Sequence, residues 1–97
     1  MLKLLLAVAA PAVAAFPPRS ENAPPAFTVS EVTPGVFAAI SDPNDARAGG
    51  NAGFVIGSEA VLVVDAFAKP EAAEELLSQI RRRTPLPVRW VVNTHYH

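Results

Sequence analysis

Two histidines, His95 and His97, are the only imidazoles in the chain, and they stand one residue apart in Val91-Val92-Asn93-Thr94-His95-Tyr96-His97. They directly follow an apolar, β-prone run. An extended chain rises about 3.3 Å per residue and turns side chains i and i+2 to the same side, so imidazoles roughly 7 Å apart at the Cα level can tilt toward one metal ion. No cysteine occurs, which removes both a disulfide framework and a Cys-based zinc site. Any metal must be held by His, Asp, Glu or water. A third candidate, Asp65, ends the apolar run Val61-Leu62-Val63-Val64. A carboxylate there is unfavourable unless it is hydrogen-bonded or paired, and in an open α/β sheet ligands bind beyond the carboxyl ends of the strands. Position alone leaves two readings of Asp65: a residue of the site or its support, and a cap for the segment that follows.

The elements that must bring these residues together can be read in order. Phe27 to Val32 is β-prone, Thr33-Pro34-Gly35-Val36 suits a type II turn, and Val36 to Ile40 reads as the second strand of a hairpin. Ser41 to Gly50 is a loop rich in breakers, a plain connection or the mouth of a site. Ala52 to Ile56 is a third strand, Gly57-Ser58-Glu59 a turn, and Ala60 to Val64 a fourth strand. The fourth is apolar throughout, which predicts burial on both faces. Pro70 to about Arg83 is the clearest helix: Pro70 suits the first helical position, Glu71, Glu74 and Glu75 load the N-terminal half, and Ala73, Leu76, Leu77 and Ile80 form one apolar stripe. Arg81-Arg82-Arg83 reads as a solvated helix end that complements the macrodipole. Thr84-Pro85-Leu86-Pro87 stops the helix, and Val88 to Asn93 is a fifth strand in which Val88, Trp90 and Val92 alternate with Arg89 and Val91. Strand, helix and strand from 61 to 93 predict a parallel pair with a right-handed crossover. Asp65 and His95/His97 would then meet at one edge of the sheet.

The chain has 97 residues, room for one small α/β domain. A hydrophobic content of 51% with 18% charged residues excludes a disordered composition. The net charge of −1 gives no electrostatic reason to expect nucleic acid as a partner. Residues 1–15 read as a signal peptide: Lys3, then the apolar Leu4 to Ala10, then Ala12-Val13-Ala14 as a small-x-small cleavage site. The apolar part is too short to make a stable membrane span, and Pro11 argues against a buried N-terminal helix. The expected location is periplasmic or secreted. Residues 16–26, with Pro17, Pro18, Pro24 and Pro25, form a Pro-rich spacer, and residues 27–97 are the structured domain.

The order of these pieces resembles the N-terminal part of a metallo-β-lactamase-fold hydrolase. The resemblance is carried by Asn51-Ala52-Gly53-Phe54-Val55-Ile56-Gly57, by Val61-Leu62-Val63-Val64-Asp65, by the helix, and by Thr94-His95-Tyr96-His97 about thirty residues after the aspartate. It implies an αβ/βα sandwich of mixed sheets flanked by helices, present here in part as one sheet and one main helix. It also implies that His95 and His97 are the first two ligands of a His-x-His-x-Asp-His motif holding zinc, one or two ions in the full-length parent. Asp65 would support the metal-binding loop without being a ligand. Asn51 falls where the family often has Asn or Ser. The family often has Thr then Gly after the aspartate, whereas Ala66-Phe67 stand here. The implied activity is hydrolysis of a small-molecule substrate, a β-lactam, lactone, thioester or similar, in which zinc-activated water attacks a carbonyl. Protons compete with metal for imidazole, so affinity would fall on acidification. A catalytic zinc needs about three protein ligands. The 97-residue piece, ending inside the motif, is therefore expected to be inactive alone and weakly cooperative in unfolding. The competing readings are a short, non-catalytic metal- or partner-binding protein, and a relative that has lost zinc chemistry.

Overall fold

A computed structural model describes residues 23–96. The segment expected to be a signal peptide, most of the expected spacer and His97 lie outside the described residues. Strands β1 (Phe27–Thr33), β2 (Val36–Ser41), β3 (Ala52–Ile56) and β4 (Val61–Val64) are followed by helix α1 (Pro70–Arg81) and strand β5 (Val88–Val92). They form one five-stranded sheet in the order β1-β2-β3-β4-β5. The first three pairings are antiparallel and β4–β5 is parallel. This mixed sheet with one helix is compatible with part of an α/β fold.

The β1–β2 hairpin turns where Pro34-Gly35 predicts it. Gly35 sits at φ 81, in the left-handed region, and a Cβ there would come within 3.2 Å of the Ile56 carbonyl oxygen. That carbonyl lies close because β3 ends beside the turn, with the Ile56 N–H donating to the Gly35 carbonyl at 2.8 Å.

Helix α1 has no side-chain N-cap, and Pro70 sets its start. It ends at Arg81, two residues before the expected Arg83. The N–H groups of Arg83 and Thr84 both turn back to the Ile80 carbonyl (2.9 and 3.0 Å), which tightens the last turn ahead of Pro85. The buried stripe is Ala72, Leu76 and Ile80, so the expected stripe shifts by one residue at its start, with Ala73 and Leu77 at its half-buried margin. Arg81 closes the last turn as expected. Arg83 extends over the sheet, its guanidinium 5.4 Å from the centroid of the Phe37 ring.

The stripe packs on one face of the sheet, where Phe27, Ala39, Phe54, Val61 and Val63 complete the core. The other face has no helix over it among the described residues. This corrects the expectation for β4. Val61 and Val63 are buried on the face that α1 covers, but Leu62 and Val64 are only half-buried, because they point with Trp90 and Val92 to the face that no helix covers among the described residues. The alternation expected in β5 is also broken. A register shift pairs Val61 with Val88 but Leu62 with Trp90, so Val88 joins the core side while Trp90 and Val92 take the other face.

One element of the core comes from loop conformation. Phe67 holds φ 65, a region unfavourable for a bulky residue, and stacks on Phe27 with ring centroids 4.6 Å apart. The stack holds the strained backbone where glycine would be at ease. Phe67→Ala keeps the strain and loses the ring, so it should cost about 2 kcal/mol. Phe67→Gly loses the ring but relieves about 1–2 kcal/mol of left-handed strain. The expected order of melting temperature is wild type, then Gly, then Ala. Alanine melting above glycine would refute this account.

Candidate metal centre

Parallel pairing places the carboxyl ends of β4 and β5 side by side. The first residue past β4, Asp65, donates its N–H to the Val92 carbonyl at 2.8 Å and so extends the ladder by one bond. It holds φ 54, a left-handed conformation that Asp tolerates better than most residues. The carboxylate then reaches across to the segment after β5. Its Oδ1 accepts the Thr94 N–H at 2.9 Å and its Oδ2 accepts the Thr94 hydroxyl at 2.7 Å. The Thr94 Oγ1 lies 2.8 Å from the His95 Nδ1. Asp65 is thus tied to the residue before the first histidine and reaches the ring through it. Of the three sequence candidates, Asp65 and His95 are brought together, and His97 lies outside the described residues.

Asp65 and His95 border a pocket of about 200 Å³ whose rim also includes Gly49, Gly50, Asn51 and Asn93. The loop between β2 and β3 therefore contributes its last residues to the site. Ala48 and Gly49 dock on the segment after Asp65, both carbonyls accepting the Ala68 N–H (3.1 and 2.9 Å). Gly49 sits at φ 67, and a Cβ there would lie 2.8 Å from the Ala68 Cβ, so only glycine fits. Asn51 fastens the base of the loop, its Oδ1 accepting the Ser41 N–H at 3.0 Å.

The polar part of the same loop goes elsewhere. Asp45 accepts both Nε and Nη2 of Arg47, and the same Arg47 Nη2 donates to the Pro24 carbonyl at 3.0 Å, tying the segment before β1 to the loop. The hydrogen bond from Arg47 holds the Asp45 carboxyl down at about 2, from an ordinary 3.8. A depressed carboxylate pKa contributes stability above its ordinary value, and that contribution is lost as pH falls through the folded value. The clamp should therefore persist at pH 4, lose its contribution to stability as pH falls from about 3.8 toward 2, and open as Asp45 protonates near 2. An NMR titration of the Asp45 carboxyl should show a midpoint near 2 that returns toward 3.8 in Arg47→Ala. An unchanged midpoint in that variant would remove Arg47 as the cause.

Thr94 carries the link between Asp65 and His95, and the sequence reading did not single it out as a site residue. Its signal was present: a hydroxyl immediately before a candidate ligand, at the end of a strand parallel to one that ends in aspartate. Zinc is commonly held by imidazole nitrogens, and His95 supplies one imidazole beside a carboxylate that contacts its neighbour Thr94. Among the described residues no group of three or more His, Cys, Asp or Glu could hold a metal ion. The donor chemistry fits zinc, and the described donors are fewer than a catalytic site requires. No helix among the described residues is long and apolar enough to cross a membrane. The family model described as Metallo-beta-lactamase superfamily matches residues 46–97, more than half of the chain. No curated protein matches it significantly.

Proposed function

Because the chain belongs to the metallo-beta-lactamase superfamily, a family of metal-dependent hydrolases, we propose that it is the N-terminal part of an exported zinc hydrolase that opens a carbonyl bond of a small molecule. The observation that carries this reading is the chain of hydrogen bonds from Asp65 through Thr94 to His95 at the carboxyl ends of two parallel strands. A bare structural sheet has no need to order a histidine there. His95 and His97 would be the first two metal ligands, and the remaining ligands would come from sequence following His97. When bound, zinc supplies Lewis acidity and lowers the pKa of a water ligand toward neutrality. The protein's part is to hold the ligands. Asp65 orients Thr94, Thr94 contacts the ring of His95, and the docked loop at Gly49 and Gly50 forms one wall beside them. Export rests on residues 1–15, whose composition is that of a signal peptide.

The test is turnover by the complete protein, extending beyond His97, on a panel of a β-lactam, a lactone and a thioester. Hydrolysis should disappear with chelator and return with zinc. Residues 1–97 alone should show none, since two histidines fall short of the roughly three protein ligands a catalytic zinc needs. Chelator-resistant turnover, or a zinc-loaded complete protein inert on every class, would overturn the proposal.

A further inference from the structure

We propose that the residues leading into β1, Pro24 to Phe27, form a strap that holds together the two loops framing the candidate metal centre, with Arg47 as its positioning residue, so that the substrate's entry is shaped from the start of the folded chain. The link to substrate rests on the zinc-hydrolase reading, while the strap itself stands on its contacts.

The walls of the pocket come from two loops. Gly49 and Gly50 belong to the connection between β2 and β3, and Ala66 and Phe67 to the connection between β4 and α1. Neither wall is a strand or a helix, so each owes its place to ties outside itself. One such tie joins the loops directly, the Ala68 N–H shared by the Ala48 and Gly49 carbonyls.

The strap adds a tie to each loop. In the first, Arg47 stands two residues before Gly49. Its Nη2 donates to the Pro24 carbonyl at 3.0 Å, and its Nε donates to Asp45 Oδ1 at 2.9 Å. A guanidinium presents its donors in a rigid fork. Engaging a carboxylate and a carbonyl together therefore fixes the direction in which the chain leaves Arg47 for Gly49. In the second loop, Phe67 stacks on Phe27 with centroids 4.6 Å apart, and the buried Phe27 is the anchor. Phe27 also opens β1 opposite Ser41, whose N–H is held by Asn51 on the pocket rim. The strap thus reaches both walls and the rim.

Its composition suits the task. The rings of Pro24 and Pro25 fix φ, so the strap loses little conformational freedom on docking. An ion pair as exposed as Arg47 with Asp45 adds little to global stability. Its effect falls on a loop, the part of a fold that opens most readily.

The experiment uses the complete protein, produced from residue 16 onward and extending beyond His97. It compares wild type with Arg47→Ala, a deletion of residues 16–25, and the two combined. Order parameters of the Gly49 and Gly50 amides, from ¹⁵N relaxation, should fall in every variant while those of β2 and β3 hold. For whichever of the β-lactam, the lactone and the thioester is turned over, KM should rise about 3–5-fold. Neither Arg47 nor the strap touches His95 or Asp65, so kcat and zinc affinity should stay within about twofold of wild type. The combined variant should match Arg47→Ala, because both changes remove the same bond. Unchanged order parameters at Gly49 and Gly50 overturn the proposal. So do additive effects in the combined variant, or a KM that does not move in an active protein. Variants that loosen Gly49 and Gly50 in a protein inert on all three substrates support the strap and overturn the hydrolase reading.

Discussion

Replacing His95 with alanine in the complete protein is expected to lower zinc affinity and chelator-sensitive hydrolysis by well over about 100-fold. The bound follows from comparison: removing a residue that only orients a metal ligand already costs about 10–100-fold, and His95→Ala removes the ligand itself. The same change should leave folding nearly intact. His95 is exposed beyond the end of β5, and the Asp65–Thr94 pair survives without it. The two readouts therefore separate. Zinc titration and turnover should collapse while the melting curve of the metal-free protein stays within about 0.5 kcal/mol of wild type. Retained activity would show that the hydrolytic centre lies elsewhere. A large loss of metal-free stability would make His95 a structural residue.

The largest effect on stability is expected at Phe54. Its side chain is 1% exposed at the centre of the sheet, paired with Phe37 on β2 and Val63 on β4. Its ring stacks on Phe37 with centroids 4.7 Å apart and planes 9° from parallel. Phe54→Ala removes the ring and opens a cavity between sheet and helix, where Leu76 and Ile80 are also fully buried. Such truncations cost about 3–5 kcal/mol. Whole domains are stable by only about 5–15 kcal/mol, so the variant should be largely unfolded at moderate denaturant where wild type is folded. Urea unfolding of the complete protein measures this, and a loss under about 1 kcal/mol would show that the site collapses around the missing ring.

Most of the elements were legible because each has a local cause. Pro34-Gly35 turns the hairpin, Pro70 starts the helix, and the apolar spacing of α1 marks its inner face to within a residue. What was not legible depends on tertiary neighbours. The apolar run of β4 predicts two covered faces, and whether a second layer lies over Leu62 and Val64 is not encoded in those residues. The register shift after Val88 leaves no local mark, since Val88, Trp90 and Val92 alternate cleanly in sequence. Ala48 lies in a loop of breakers and is nonetheless fully buried, because the loop folds onto Ala68. The candidate site was legible in its residue types, as His95 and Asp65 stood out at strand ends. Its connection through Thr94 was not, because a hydrogen bond spanning 29 residues depends on the parallel register of β4 and β5.

That span of 29 residues has a kinetic meaning. Strands β1 to β4 pair each with its sequence neighbour, so they can assemble from short loop closures as the chain emerges. The Asp65–Thr94 contact must wait until α1 has formed and β5 has returned alongside β4, the slowest kind of pairing to close. The order reverses on opening. In the described sheet β5 is an edge strand, largely exposed and bonded on one side only, so it is the natural unit of local unfolding. When it peels away, Thr94 leaves Asp65 and the ordered ring goes with it, while the hairpins behind remain paired. Amide exchange should therefore be faster along β5 than in β2 and β3, and a metal that binds only the ordered ring would slow it. The hand-off from carboxylate to hydroxyl to imidazole is thus the last part of this sheet to be made and the first to be released.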